Sequence, residues 1–290
     1  MTQPSRSKIM ELEVMVADVI QETHDTTTLV LFTGNDHMDY LSGHFLTIDP
    51  HQFEALRRWI AFLEDVKGKK ELPRAYSMAS APDEHYLAIT VKEERYVPGY
   101  TKYPPLLSPI LAQRTATGRK MLVTGFTGPY TLPKEGKTPS SILHIAAGSG
   151  IVPNWSILKF GLRNHPEMIQ TLLYSNKTWL DTIYGEELIK LQKEFPDQLD
   201  IKFFITRENP PLSTNAAVVG GRIDKLTIEK AIEQLDDPLV YVCGPANTVH
   251  DKKLAKESNE SLNPRFMEST LGYLSEIGID KSRIKRESYG

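Results

Sequence analysis

The sequence is poor in cysteine, with Cys243 as the single thiol among 290 residues. One thiol cannot form an internal disulfide, a four-thiolate zinc site or a cysteine-ligated iron–sulfur cluster. We therefore predict no metal site in this chain. We also expect any iron–sulfur cluster that works with it to be bound by another protein.

The sequence also has neither a large excess of one sign of charge nor a long apolar run. The formal net charge is −3, and the 34 basic residues are spread along the chain, so we expect no nucleic-acid surface and no membrane surface. No stretch approaches the roughly 18 unbroken apolar residues of a membrane helix, and the N-terminal stretch lacks the apolar core of a signal peptide. We expect a cytoplasmic protein.

The chain divides into two parts with different patterns, as its length suggests. Up to about residue 135, short β-like runs alternate with turn residues, which predicts an N-terminal six-stranded antiparallel barrel over residues 1–136. A predicted helix at about residues 50–67 interrupts this pattern. Its apolar residues recur at helical spacing between an Asp49-Pro50 start and a Gly68 stop.

From Ser141 onward, apolar strands alternate with longer helical patterns. This alternation predicts a five-stranded parallel, doubly wound α/β domain over residues 137–290, with helices on both faces of the sheet. The apolar run LVYVC fits a strand that is buried on both sides. We predict the domain boundary in the polar stretch LPKEGKTPS, residues 132–140.

Two turns in the second part are candidates for a nucleotide site. In AAGSGIVP, Gly148 and Gly150 permit close approach of a ligand and expose amides at a helix N-terminus, where a pyrophosphate binds well. Pro153 replaces the third glycine of the usual fingerprint and suits the first position of a helix. A plain glycine turn explains the same residues without a ligand.

The second turn is VYVCGP, where Cys243, Gly244 and Pro245 end a buried strand. Open α/β sheets bind their ligands at this carboxyl edge. The cysteine could also be a small core residue, which is its commonest role.

The short run RAYS sets a fixed cation, an aromatic ring and a hydroxyl close together, at Arg74, Tyr76 and Ser77. The cation matches a phosphate, and the aromatic face offers a stacking surface. A half-buried strand with an arginine at its edge explains the same composition.

Taken in order, RAYS, GSGIVP, VYVCGP and the terminal RESYG resemble the motifs of the ferredoxin–NADP reductase superfamily. The resemblance spans almost the whole chain. Within the superfamily, the sequence is most similar to the reductase components of bacterial oxygenase systems, without a fused iron–sulfur domain. LSGHFLTI, TRE and GGRID match further segments of that group. The resemblance implies FAD in the barrel and NADPH or NADH as substrate in the α/β domain.

For the flavin, the resemblance assigns three roles within RAYS. Arg74 pairs with the flavin phosphate, Tyr76 packs on the isoalloxazine ring, and Ser77 places its hydroxyl near the flavin N5. Further flavin contacts are implied in the strand ITVK and at the helix start PPLLSPIL, where the glycine of the family is missing. These contacts are Ile89, Val91, Lys92 and Ser108.

For the nicotinamide nucleotide, the resemblance implies that the glycine turn holds the pyrophosphate and that the CGP turn lies beside the nicotinamide ring. Near the end of the chain, Glu287 and Tyr289 match an acid-x-aromatic pattern that places the ring over the flavin and the carboxylate near the hydride path. A glycine follows Tyr289 here, so an ordinary strand end stays open as an interpretation. Ser77, Cys243 and Glu287 are thus the predicted catalytic residues, and Tyr289 a cofactor contact.

The choice of coenzyme depends on the adenosine end of the site. The strand TLLYSNKT ends without an acidic residue, and Thr206, Arg207 and Arg222 are donors where the family binds this end. They favour NADPH, because its 2′-phosphate needs cations or hydroxyls. NADH stays open, since the same residues could be solvated surface side chains.

The resemblance implies an NAD(P)H-dependent flavoprotein reductase that passes single electrons to a separate ferredoxin, flavodoxin or iron–sulfur oxygenase component. Two alternatives stay open: an electron-transfer or regulatory subunit of a larger redox complex, and a reductase of free flavin. The missing cysteine cluster weighs against the subunit. The helix at 50–67 carries RRW and continues into KGKK, which an acidic ferredoxin could contact, although a solvated helix face explains these charges better.

Overall fold

The computed structural model describes residues 11–34, 39–99, 101–133, 138–211 and 216–289. Two sheets organise these residues. The strands of the first sheet are β1 (Glu11–Thr23), β2 (Thr26–Phe32), β3 (Phe45–Ile48), β4 (Arg74–Ser77), β5 (Leu87–Lys92) and β6 (Lys120–Thr127). The strands of the second sheet are β7 (Ser141–Ala147), β8 (Ile169–Asn176), β9 (Leu199–Ile205), β10 (Ala217–Gly220), β11 (Leu239–Pro245) and β12 (Ile284–Tyr289). The helices are α1 (Arg57–Lys67), α2 (Ser108–Gln113), α3 (Ile151–Asn164), α4 (Gly185–Glu194), α5 (Lys225–Glu233), α6 (Val249–Ser258) and α7 (Phe266–Ile277).

The first sheet is antiparallel, with strand order β4-β3-β6-β1-β2-β5. A bridge between Met78 and Ile89 connects its two outer strands, so the sheet closes on itself. In β1, Leu12, Val14 and Val16 are buried and alternate with more exposed neighbours, as expected for a strand with one face on a core. The prediction of a six-stranded antiparallel barrel is confirmed.

The predicted helix inside the barrel is present, but it begins with two 3₁₀ turns. Asp49 accepts a hydrogen bond from the His51 N–H at 2.9 Å, and the turns Pro50–Gln52 and Glu54–Leu56 lead into α1. The helix ends at Gly68, whose φ of 64° lies in the left-handed region that glycine adopts without strain. The apolar side of the segment packs into the core of the barrel.

The second sheet is parallel, with strand order β10-β9-β8-β7-β11-β12. The sequence predicted five strands, and the sixth, β10, corrects this number. β10 has four residues with mostly exposed side chains, so it lacks the apolar run that marks the other strands. Helix α6 was not predicted either, and it has no buried residue.

Helices cover both faces of the parallel sheet, as predicted. Helices α3 and α4 pack on one face through a cluster that includes Ile151, Leu158 and Leu188. Helices α5 and α7 pack on the other face, where Ile228 and Leu274 are fully buried. β11 lies between these layers and is buried up to its final residue.

The predicted linker lies between the two sheets, because β6 ends at Thr127 and β7 begins at Ser141. Residues 134–137 lie outside the described residues, so the boundary between residues 136 and 137 stays a prediction. Within the described ranges, every helix is too short or too polar to cross a lipid bilayer. In the same ranges, no group of three or more His, Cys, Asp and Glu side chains is placed to hold a metal ion.

Candidate active site

A cavity of about 770 Å³ opens between the barrel and the carboxyl edge of the parallel sheet. Its size is within the range of cofactor and ligand pockets. The walls come from β4, β5, the start of α2, the glycine turn after β7, and β12. Nine of the predicted site residues line it: Arg74, Tyr76, Ser77, Val91, Lys92, Ser108, Pro245, Glu287 and Tyr289. The fold thus brings the RAYS strand and the end of the chain to one site.

Arg74 lies at the cavity wall with its guanidinium already oriented. Its Nη2 donates to Glu71 Oε2 at 2.6 Å, and its Nη1 donates to the carbonyl of Leu72. Glu71 is nearly buried and also pairs with Lys67 at the end of α1. Because this carboxylate has cations on both sides, burial does not neutralise it, and the pKa of Glu71 is lowered. Arg74 is therefore held in place before any phosphate arrives.

Ser77, Glu287 and Tyr289 form a small hydrogen-bonded centre across the two parts of the chain. Ser77 Oγ donates to Glu287 Oε1 at 2.7 Å, although these residues are 210 positions apart in sequence. The Tyr289 hydroxyl lies 2.5 Å from Ser77 Oγ, and we assign the tyrosine as donor because the serine proton is already used. Burial raises the pKa of Glu287 above its ordinary value and raises the pKa of Tyr289 well above its usual range.

Cys243 lies behind this centre and does not line the cavity. It is fully buried in a cluster with Tyr130 and Tyr241, and burial raises the pKa of its thiol well above the usual range. In the sheet, Cys243 stands opposite Glu287. Its side chain is packed among core residues beside the site, and its catalytic role stays a prediction.

The glycine turn is in close contact with the end of β11. A Cβ added at Gly150 would lie 2.1 Å from the carbonyl oxygen of Cys243, so only glycine fits there. Gly148 has a φ of +53° and open space around it. Its neighbour Ser149 lines the cavity, which places the turn at the predicted nucleotide edge. Pro153 is the third residue of α3, not the first. The first four helical N–H groups have no partner within the helix, so proline is tolerated there.

A buried polar network supports this turn from below. Asn154 Nδ2 donates to the carbonyl of Gly150 at 2.8 Å, and Asn154 Oδ1 accepts from the Tyr130 hydroxyl at 3.1 Å. His144 completes the network, because its Nδ1 is hydrogen-bonded to Asn154 Oδ1 and its Nε2 to Gln170 Oε1. Burial lowers the pKa of His144 to about 4, so we take this imidazole as neutral.

The residues predicted for the adenosine end lie away from the cavity. Thr206 and Arg207 follow β9, and the Thr206 N–H donates to the carbonyl of Asn176 at 3.0 Å. The Gly221 N–H donates to the carbonyl of Ile205 at 2.8 Å, which brings Arg222 near the same edge. Both arginines are exposed. A role for these residues at the adenosine end stays a prediction.

Three of the predicted flavin contacts have surroundings that the sequence did not indicate, and their role at the flavin stays a prediction. Ile89 is fully buried in the barrel core and does not line the cavity, because it faces inward where β5 meets the segment after β4. Ser108 does line the cavity, but its Oγ accepts the Glu94 N–H at 3.1 Å. Lys92 is also engaged, with Nζ at 2.7 Å from Asp25 Oδ1.

Sequence reasoning missed several residues that line the cavity: Phe45, Glu93, Glu94 and Arg286. Phe45 belongs to LSGHFLTI and Arg286 to RESYG, so the matched motifs already contained them. Glu93 and Glu94 had no such signal. Lys92 is already paired with Asp25, so among the cations of the cavity wall we expect Arg74 to receive a phosphate.

The residues present fit a flavin nucleotide. Arg74 offers a cation, Tyr76 is a partly buried aromatic ring in the same wall, and Ser77 offers a hydroxyl deeper in the cavity. This order matches a molecule with a phosphate at one end and a flat ring system at the other. Arg74 would hold the phosphate, Tyr76 the ring, and Ser77 its polar edge.

Comparison with known proteins gives a consistent result. Residues 144–253 match the family model described as an oxidoreductase NAD-binding domain. Over 242 residues, the chain is 29% identical to the ferredoxin reductase component of 3-ketosteroid-9-alpha-monooxygenase from Mycobacterium tuberculosis (strain CDC 1551 / Oshkosh), covering 81% of this chain and 58% of that protein. The protein of the same description from Rhodococcus rhodochrous is 28% identical over 290 residues, covering 98% and 66%.

Among solved structures, the cytochrome b5 reductase domain of Ulva prolifera nitrate reductase has a TM-score of 0.69 at 21% identity, covering 96% of this chain and 97% of that chain. At this identity the likeness shows the fold. The chain spans less than two thirds of the length of the two curated relatives.

Proposed function

We propose that this chain is an NAD(P)H-dependent flavoprotein reductase of the ferredoxin–NADP reductase-like family of FAD- and NAD-binding proteins, a proposal supported by the matched NAD-binding family model and the similar reductase components. The reaction would oxidise NAD(P)H to NAD(P)⁺, reduce two one-electron acceptors and release one proton. The observation that carries the proposal is the cavity that joins the RAYS strand to β12 and the glycine turn. In one wall, its residues supply a cation that can bind a phosphate, an aromatic ring surface and a hydroxyl.

The chain positions and shields the reactants, while bound FAD supplies the ability to take two electrons together and release them singly. Arg74 binds the phosphate, and its pairing with Glu71 reduces the orientational freedom lost on binding. Ser77 orients the polar edge of the ring. Tyr289 excludes water from Ser77, and Glu287 Oε1 is the atom that would hold or move a proton beside that hydroxyl.

The acceptor is proposed to be a separate redox protein: a ferredoxin, a flavodoxin or an iron–sulfur oxygenase component. Support comes from the relatives that are described as ferredoxin reductase components. For the donor we propose NADPH. Thr206, Arg207 and Arg222 follow β9 and β10 at the same edge of the sheet and could bind a 2′-phosphate, and β8 does not end in an acidic residue that would bind a ribose hydroxyl. The cytoplasmic location stays a prediction from the sequence.

The assignment of the phosphate end can be tested with Arg74→Leu. Loss of a charge-assisted hydrogen bond costs about 1.5–3 kcal/mol, so FAD affinity should fall about tenfold to a hundredfold in a fluorescence-quenching titration. Binding of riboflavin, which has no phosphate, should change little. Arg57→Leu is a matched control, because Arg57 is an exposed arginine on α1 that pairs only loosely with Glu54 at 3.3 Å. Equal losses for FAD and riboflavin would show that Arg74 does not contact a phosphate.

A further inference from the structure

One side of α3 lies against the barrel loop that connects β4 to β5. The contacts are made by Ser156, Lys159 and Arg163, which recur at helical spacing. Ser156 Oγ donates to the carbonyl of Ser80 at 2.7 Å, and Arg163 Nε lies 2.8 Å from an Asp83 carboxylate oxygen. This side of the helix therefore follows the loop for most of its length.

An ion pair lies at the centre of this contact and is shielded from water. Lys159 Nζ is 2.8 Å and 2.6 Å from the two carboxylate oxygens of Glu84, and the two side chains are only 9% and 12% exposed. Glu84 Oε2 also accepts the Ala81 N–H at 2.7 Å, which fixes the loop around the carboxylate. Lys159 Nζ lies 5.1 Å from the centre of the Trp155 ring.

A second contact continues the same seam. The ring of Trp155 stacks on Tyr184 with centroids 5.1 Å apart, and the Tyr184 hydroxyl is hydrogen-bonded to Thr90 of β5. Thr90 lines the cavity. The seam between the two parts of the chain thus runs from the exposed end of α3 to the wall of the site.

The two elements that this pair connects are those predicted to hold the two reactants. Helix α3 starts directly after the glycine turn at Gly150, and the loop begins directly after Ser77, the last residue of β4. A small rotation of α3 against the loop would move the glycine turn relative to Ser77.

We propose that Lys159 and Glu84 are positioning residues that set the distance and angle between the flavin ring and the nicotinamide ring. The proposal rests on the reductase function proposed above. Removing Glu84 leaves the buried Lys159 ammonium without its counter-charge, and removing Lys159 leaves Glu84 with only Arg163 Nη1 at 3.2 Å. Weakening a buried pair in this way is strongly unfavourable, so α3 would move to let water reach the remaining charge. A displacement of about 1 Å at reacting groups can cost on the order of a hundredfold in rate.

The test uses the FAD-loaded protein in anaerobic stopped-flow reduction by NADPH, or by NADH if wild type prefers it. In Glu84→Gln and in Lys159→Met, we expect flavin reduction at saturating coenzyme to slow tenfold or more. FAD affinity should stay within about twofold, since Arg74 and Tyr76 are unaffected. The long-wavelength charge-transfer absorbance between flavin and coenzyme should weaken too, which a mere loss of stability would not cause.

Two further variants keep the proposal open to refutation if a single variant does not fold. In the double variant Glu84→Met with Lys159→Met, apolar side chains of similar length replace both charges, so packing and rate should partly recover. Ser156→Ala removes one hydrogen bond and no charge, and should slow reduction by a smaller factor. Glu13→Gln is the matched control, because Glu13 pairs with Lys120 at 2.8 Å on the exposed side of the barrel.

The outcomes separate this proposal from the proposed function. If NADPH and NADH both fail to reduce wild type, the reductase function is wrong and the positioning role is wrong with it. If wild type is reduced and the folded Glu84, Lys159 and Ser156 variants react at its rate with unchanged charge-transfer absorbance, the positioning role alone is overturned.

Discussion

Replacing Gly150 with alanine would place a methyl group against the main chain at the end of β11. The added Cβ would lie 2.1 Å from the Cys243 carbonyl oxygen, 2.5 Å from its carbonyl carbon and 2.8 Å from the Gly244 nitrogen. Since Cβ contacts below 3.0 Å essentially do not occur, one of the two turns has to shift by about 1 Å. These atoms are backbone, so no flexible side chain can move aside.

The expected cost is that of overpacking a well-packed region, about 1–3 kcal/mol. In a chain of this size, each kcal/mol lowers the melting temperature by roughly 2–4 °C, so we expect a fall of roughly 2–12 °C in thermal unfolding. The KM for NADPH should also rise, because Gly150 belongs to the turn that is predicted to hold the pyrophosphate.

Gly272→Ala is the matched control. Gly272 lies in α7 with open space around its Cα, so alanine should stabilise the helix by about 1 kcal/mol through its higher helix propensity. An unchanged melting temperature and KM in Gly150→Ala would refute the close approach of the two turns and the role assigned to them.

Three further predictions concern the centre formed by Ser77, Glu287 and the residues behind it. Ser77→Ala should slow flavin reduction by NADPH much more than it weakens FAD binding, and an unchanged stopped-flow rate would remove the role of this hydroxyl. Burial raises the pKa of Glu287, so its contribution to stability is present below its ordinary pKa near 4.5 and is lost as pH rises through the raised pKa. Glu287→Gln should therefore gain stability relative to wild type as pH rises from 4.5 through the raised pKa in urea unfolding, and parallel pH profiles would contradict this. The Cys243 thiol, buried and with a raised pKa, should react with a thiol reagent only after unfolding, whereas rapid labelling of the native protein would show that it is accessible.

The sequence predicted those parts of the fold that leave a periodic pattern. In the barrel, β1 and β6 alternate between buried and more exposed residues, β11 of the second sheet is an apolar run up to its final Gly-Pro, and α1 ends at a glycine as predicted. β10 and α6 were missed for one reason: they lie at the edge of the molecule and bury few apolar side chains. Apolar periodicity in a sequence arises from burial, so it does not predict elements that bury few side chains.

The sequence predicted which residues belong to the site, but it did not predict the contacts between them. RAYS and RESYG were both recognised, yet the hydrogen bond between Ser77 and Glu287 joins residues that no local rule brings together. Cys243 shows the opposite case, because the sequence placed it at a strand end but did not show that its side chain is fully buried beside the site. The pairing of Lys159 with Glu84 also depends on how the two parts of the chain meet, which the sequence does not state.

The central claim is tested most directly by an anaerobic absorbance spectrum of the purified protein with FAD, followed by titration with NADPH and, separately, NADH. We predict a yellow protein that retains FAD and is bleached by one equivalent of coenzyme, with NADPH more effective than NADH. A protein that takes up no FAD, or whose bound FAD stays oxidised with both coenzymes, would contradict the proposed reductase function.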